Sequence, residues 1–239
     1  MTTALVLSAG GMWAAWEVGA WKVLREHMQF DLIVGASAGA WLGWAIAGGA
    51  TPEDLAHDWL HPSAGSVMRR GLHRCGVFHP DGLIAKSRDL FARSRPKTPF
   101  GLTMVEVPSL RLKLVRDSEI EWEHLAATSA IPFGFPPVRI DGKHYVDGGF
   151  RGGLPLWAAE EMGADRAIAL NVLNTPVFRL LRRIMRGKRP SEALEVRTLE
   201  PSERLGSLRD AVVWAPENVA RWIALGESDA KRALTSITM

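Results

Sequence analysis

Hydrophobic and polar positions alternate along the chain in blocks of changing period. Thr3 to Ser8 is a short, nearly unbroken apolar run, the pattern of a strand covered on both faces. Ala9-Gly10-Gly11 breaks it. Ala14 to His27 then places Ala14, Val18, Trp21 and Leu24 or Arg25 on one helical side. Leu32-Ile33-Val34 predicts a second buried strand, Gly35 a turn, and Ala38 to Ala47 a helix apolar nearly all round and therefore buried. Strand, helix, strand, helix in that order predicts a βαβα unit with parallel strands and a right-handed crossover.

Further along, Thr51 to Phe100 reads as helices and loops without clear order. Leu102–Val107 and Leu110–Val115 predict a strand pair separated by Pro108, and Glu119–Ser129 a helix ended by Pro132. Val138–Ile140 and Lys143–Val146 flank Asp141-Gly142, a hairpin signal whose turn tolerates positive φ. Leu154–Met162 predicts a helix, Ala167–Val172 a buried strand, Val177–Arg186 a basic helix, Leu194–Leu199 a last strand, and Leu208–Leu234 a helix interrupted near Pro216. No repeat or linker divides the chain. The expectation is one domain over residues 1–239, of α/β class, with three layers: a mostly parallel central sheet flanked by helices.

Composition narrows this picture only modestly. A chain of 239 residues, 47% hydrophobic and 23% charged, suits one globular core. No apolar run approaches the ~18 residues a membrane span needs, and the first residues lack the charged lead and apolar core of a secretory signal. Cys75 is the only cysteine, so no internal disulfide is expected and the cytoplasm is the expected compartment. A net charge of +3 gives no reason to expect a nucleic-acid partner. The ten tryptophans are expected mostly in the core, with a few at a surface suited to a lipid interface.

Candidate chemistry begins at Gly35-Ala36-Ser37-Ala38-Gly39, a G-x-S-x-G sequence between a predicted strand and a predicted helix. That context sets a serine on a sharp strand-to-helix turn with its hydroxyl projecting from the sheet edge, near the positive end of the helix. A tight turn around a buried serine is the plain alternative. The base is less direct. No histidine follows His144, and only His27 precedes Ser37, which disfavours the usual histidine-containing orders. His124 and His144 remain open by order alone. Asp147, in Tyr145-Val146-Asp147-Gly148-Gly149, ends a predicted strand before two glycines that permit close approach, and a carboxylate there can accept the Ser37 proton directly. Its alternative role is to cap or turn the strand end. Gly10-Gly11 follows the first strand, and a parallel βαβ unit brings that turn next to Ser37, where its backbone N–H groups can hold an oxyanion. A phosphate cradle is the competing reading, although neither G-x-G-x-x-G nor a P-loop lysine is present.

Taken together, these motifs resemble the patatin-like phospholipases. Leu7 to Gly19 is similar to the family's opening glycine-rich motif and helix, Val34 to Ala40 to its nucleophile turn, and Ala130-Ile131-Pro132 through Asp147-Gly148-Gly149 to the approach to its Asp-Gly-Gly. The resemblance implies a Ser–Asp dyad at Ser37 and Asp147, an oxyanion hole at Gly10, Gly11 and the Met12 backbone, an acyl-enzyme intermediate, and a phospholipid or other acyl-ester substrate. No metal or organic cofactor is implied. Ala9, Trp13 and Ala14 stand where the family usually has glycine, arginine and glycine. A catalytically impaired lipid-binding or scaffold module on the same fold is the alternative function.

Two other features invite a reading. Val177–Arg186 sets Val177, Leu180, Leu181 and Ile184 on one helical face and Arg179, Arg182, Arg183 and Arg186 largely on the other, which suits peripheral contact with an anionic membrane or, more plainly, a solvated surface helix. His57 with His61, and His73, Cys75 and His79, are close enough in sequence for metal ligation, but without H-E-x-x-H they read as ordinary residues.

Overall fold

The computed structural model describes residues 1–73, 76–174 and 187–235. The first half contains β1 (Thr3–Leu7), α1 (Ala15–His27), β2 (Leu32–Ala36), α2 (Ala38–Ala47), α3 (Pro52–Leu60) and the one-turn α4 (Ser63–Ser66). A small hairpin, β3 (Arg70–His73) with β4 (Gly76–Phe78), leads into α5 (Pro80–Arg93), β5 (Phe100–Val107), β6 (Arg111–Arg116) and α6 (Trp122–Thr128). The chain continues through β7 (Val138–Ile140), β8 (Lys143–Asp147), the one-turn α7 (Gly149–Gly152), α8 (Leu156–Glu161), β9 (Arg166–Leu170), β10 (Glu195–Leu199) and α9 (Pro216–Thr235).

Among the described residues, eight strands form the main sheet in the order β10-β9-β1-β2-β5-β8-β7, with β6 also paired to β5. The contacts among β10, β9, β1, β2 and β5 are parallel, and those of β6, β7 and β8 are antiparallel. The unbroken apolar run of β1 follows from burial on both sides. Leu5 and Leu7 belong to the core shared with α1, α2 and α9, whereas Ala4 and Val6 pack with Trp157, Ala158 and Ala159 of α8. This is the expected three-layer α/β arrangement. On the outer side of the larger core, α1 lies against α9, and Trp16 Nε1 donates to the Asp229 carboxylate at 2.8 Å.

Several boundaries differ from expectation for identifiable reasons. The middle segment contains the β3–β4 hairpin, whose few residues carry no alternating pattern. α6 begins at Trp122 rather than Glu119, because Asp117–Glu119 forms a 3₁₀ turn and Glu121 exchanges cap hydrogen bonds with His124. The expected helix from Leu208 starts only at Pro216. Before it, Asp210 accepts from both the N–H and the hydroxyl of Ser207 and holds a turn. A proline at the first helical position is a start rather than an interruption. The Asp141-Gly142 turn has positive φ at both residues, as anticipated. Of the ten tryptophans, five are buried and five half-buried, and none is fully exposed. Val177–Arg186 lies outside the described residues.

Candidate active site

Sheet topology brings Ser37 and Asp147 together. β5 divides its edge between two neighbours: Ala36 of β2 pairs beside Thr103, and Asp147 of β8 pairs beside Met104. The chain therefore leaves β2 at Ser37 at the level where β8, running the other way, delivers its last residue. Ser37 Oγ donates to Asp147 Oδ2 at 2.6 Å, across 110 positions of sequence.

The turn at Ser37 is strained and held. Its φ is 55° and ψ −131°, a region that L-residues rarely adopt and that costs about 1–3 kcal/mol. The flanking glycines are steric requirements. A Cβ on Gly35 would lie 2.4 Å from the Gly39 carbonyl oxygen, and one on Gly39 would lie 2.4 Å from that of Ser8. The second contact also sets the end of β1 against the start of α2. The Ser37 carbonyl accepts from Ala40 and Trp41 and opens α2, while the Ser37 N–H donates to Thr128 Oγ1 at 3.1 Å.

Asp147 is 4% exposed and Ser37 is 5% exposed. Besides Ser37, the carboxylate accepts the Gly149 N–H on Oδ1 at 2.6 Å, and the Asp147 N–H donates to the Ala130 carbonyl at 3.0 Å. Burial pushes the Asp147 carboxyl up to about 7, against the two hydrogen bonds, which favour its charged form. Such a group is half-ionised near neutrality, the range in which a general base is most effective. The paired glycines after it allow the approach. A Cβ on Gly148 would meet the Thr103 carbonyl oxygen at 2.1 Å, and one on Gly149 would meet the Ala9 Cβ at 2.4 Å.

The glycine loop thus touches both sides of the pair. Its amides are not equivalent. Ser8 N–H donates to the Leu170 carbonyl, Ala9 N–H to Gly153, and Trp13 N–H to Gly10. Met12, expected as an oxyanion donor, instead gives its N–H to the Ala211 carbonyl at 2.8 Å, because the segment ahead of α9 lies across the loop. Among the described residues, the Gly10 and Gly11 N–H groups find no acceptor in the protein. Trp13, at 2% exposed, packs within the main core, as does the neighbouring Met12.

Two supporting groups were missed from the sequence. Thr128 Oγ1 accepts from Ser37 and donates to the Thr103 carbonyl at 2.8 Å. Nothing in the local pattern marks it. Glu17 is fully buried, and its Oε1 accepts both the N–H and the hydroxyl of Ser8. Ser8 Oγ in turn accepts the Val172 N–H at 3.0 Å, so this one carboxyl fixes the strand end from which the glycine loop starts. Burial raises the Glu17 carboxyl well above its ordinary value. Its signal was available: a lone carboxylate inside the apolar run Ala14–Ala20.

The histidines left open as bases are placed otherwise. His124 accepts the Glu121 N–H within the α6 cap, and His144 lies exposed on β8. The His57 and His61 rings lie 5.9 Å apart. Among the described residues no three His, Cys, Asp or Glu side chains gather into a metal-binding group; Cys75 lies outside those residues. No helix among them is long and apolar enough to cross a membrane.

Comparison with known proteins shows the family and the fold. The chain is 24% identical over 182 residues to proteins of Mycobacterium bovis and Mycobacterium tuberculosis, each described as an uncharacterized NTE family protein, covering 71% of this chain and 48% of theirs. The chain therefore spans about half the length of those curated relatives. Its fold matches the crystal structure of VipD from Legionella pneumophila with a TM-score of 0.54 at 13% identity, covering 98% of this chain and 67% of that one. The family model for patatin-like phospholipase matches residues 5–160, and the chain belongs to that family.

Proposed function

We propose that the protein is a serine acyl-lipid hydrolase that works through a Ser37–Asp147 dyad and an acyl-enzyme. The observation that carries this reading is the 2.6 Å hydrogen bond from Ser37 Oγ to a buried carboxylate that titrates near neutrality. In the first half-reaction Asp147 takes the Ser37 proton as Oγ attacks the ester carbonyl. The charge that develops on the carbonyl oxygen is met by the Gly10 and Gly11 N–H groups and by the N-terminal end of α2. Collapse expels the alcohol, which receives the proton from Asp147. Water, deprotonated by the same carboxylate, then attacks the acyl-enzyme and releases the carboxylic acid and Ser37.

A mostly apolar cleft, to which Asp58 and Lys86 also contribute, supports a hydrocarbon acyl group. Its lining includes Met12 from the glycine loop and Trp41, one turn along α2 from Ser37, together with Leu42, Leu55 and Leu90. A phospholipid or other acyl ester taken from a membrane surface fits these features, and the cytoplasm is the proposed compartment.

The experiment is hydrolysis of a short-chain aryl ester by Ser37→Ala and Asp147→Asn. Each substitution is expected to remove turnover while the far-UV circular dichroism of the fold persists, and turnover in Ser37→Ala overturns the assignment. A silent lipid-binding module is the second reading, favoured by the near-complete burial of both side chains and by the Ala211 carbonyl on Met12 N–H. A fluorophosphonate separates the two, since only an activated serine is labelled.

A further inference from the structure

Phe133 carries two costs at once. It is 86% exposed, and its φ is +64°. The Gly134 N–H closes a turn on the Ile131 carbonyl at 2.9 Å, which places Pro132 second and Phe133 third. A third position with positive φ is where glycine is cheap and a large side chain is strained. Water gains nothing from a phenyl ring held out in this way.

The ring does not stand alone. The Phe133 carbonyl accepts the Val77 N–H at 3.3 Å, and the Gly134 carbonyl accepts the Phe78 N–H at 2.9 Å, which stitches the turn to β4. Val77 is itself 61% exposed. Beneath them the tip is firm: the Phe78 and Phe135 rings lie 5.4 Å apart, and Phe135 is 1% exposed. Exposed Arg70 opens β3, the strand neighbouring β4, and exposed Arg69 precedes it. Arg70 pairs in register with Phe78, and the Arg69 carbonyl accepts the His79 N–H. Asp81 at the start of α5 lies 3.1 Å from His79 Nδ1. The tip is also tied to the dyad, because Ala130, at the base of the same turn, accepts the Asp147 N–H.

We propose that Phe133 and Val77 form a membrane-docking tip that inserts into an anionic lipid bilayer, with Arg69 and Arg70 meeting the headgroups. Apolar side chains on a rigid turn gain area by entering the interface without losing conformational freedom, and neighbouring arginines add attraction to anionic lipid. This proposal does not depend on the hydrolase reading.

Flotation of the full chain with phosphatidylcholine vesicles and with equimolar phosphatidylcholine–phosphatidylglycerol vesicles tests it. The unmodified protein is expected to float with the mixed vesicles and much less with the neutral ones. Phe133→Gly with Val77→Ser is expected to weaken binding to the mixed vesicles about tenfold or more. Glycine relieves the positive φ, so this variant keeps the fold. Arg69→Glu with Arg70→Glu is expected to lose the preference for anionic lipid. Turnover of a water-soluble ester serves as a separate readout that none of these changes is expected to move. Absence of flotation by the unmodified protein, or equal flotation by the Phe133→Gly/Val77→Ser variant, overturns the proposal whatever the protein hydrolyses.

Discussion

The Ser37 N–H donates to Thr128 Oγ1 at 3.1 Å, and the same hydroxyl donates onward to the Thr103 carbonyl at 2.8 Å. One threonine therefore ties the strained turn to β5, the strand that carries both the end of β2 and the end of β8. Thr128→Val keeps the volume and removes the acceptor, leaving a buried N–H without a partner. The expected loss is about 1–3 kcal/mol of stability in denaturant titration. On the proposed mechanism, activity is expected to fall about 10–100-fold, in kcat rather than KM, as Ser37 drifts from Asp147. Thr128→Ser retains the hydroxyl and is expected to recover most of both. A Thr128→Val enzyme as active as the unmodified one would show that the turn needs no tether.

In the proposed mechanism Asp147 is the base, and the pH dependence follows from it. Asp147 must be ionised to accept the Ser37 proton, and burial sets its carboxyl at about 7. For a water-soluble ester, kcat/KM is expected to rise with pH along one limb and level off above about 7, since this parameter reports the free enzyme. A rate already flat from about pH 5 upward would mean that the carboxylate is ionised throughout and that burial does not govern it.

The same burial makes Asp147 a liability for stability. Its folded value lies above that of an unfolded aspartate, so the folded state holds the proton more tightly. The associated stability is present at low pH and is lost as pH rises from about 4 through about 7. Asp147→Asn cannot ionise and escapes that loss. The variant is expected to be inactive, with a melting temperature that gains on the parent as pH is raised from about 5 to about 8. A difference in melting temperature that stays constant over this range would remove Asp147 from the linkage. Glu17, also raised by burial, is present in both proteins and cancels from the comparison.

Much of this arrangement was legible because it rests on local pattern. The apolar runs of β1 and β2, the glycines around Ser37 and the Asp141-Gly142 turn each follow from short-range sterics or burial. Topology then needed one inference, that β1 and β2 lie parallel, to set Gly10-Gly11 beside Ser37. What escaped depends on long-range meetings. Thr128 reaches Ser37 across 91 positions, and the Ala211 carbonyl that takes the Met12 N–H belongs to a turn that reads as helix because Val212 and Val213 extend an apolar pattern. The β3–β4 hairpin is too short for alternation to register. Phe133 sits in a turn where sequence pattern alone favours glycine, so neither its exposure nor its backbone angle could be anticipated.

Gly149 offers the sharpest test of how the glycine loop and the acid are fitted together. Its N–H holds Asp147 Oδ1 at 2.6 Å, and a Cβ at this position would lie 2.4 Å from the Ala9 Cβ and 3.0 Å from Oδ1. Gly149→Ala must therefore push the loop away, rotate the carboxylate, or both. A displacement of about 1 Å is enough to lower kcat about 100-fold. If the loop contact is the larger part, Ala9→Gly removes the opposing methyl and restores part of the activity in the Gly149→Ala background, although alone it changes the rate little. The double-mutant cycle then shows a favourable coupling between the two positions. Strictly additive effects would locate the damage at Asp147 itself, and the fit between loop and acid would carry no energetic weight.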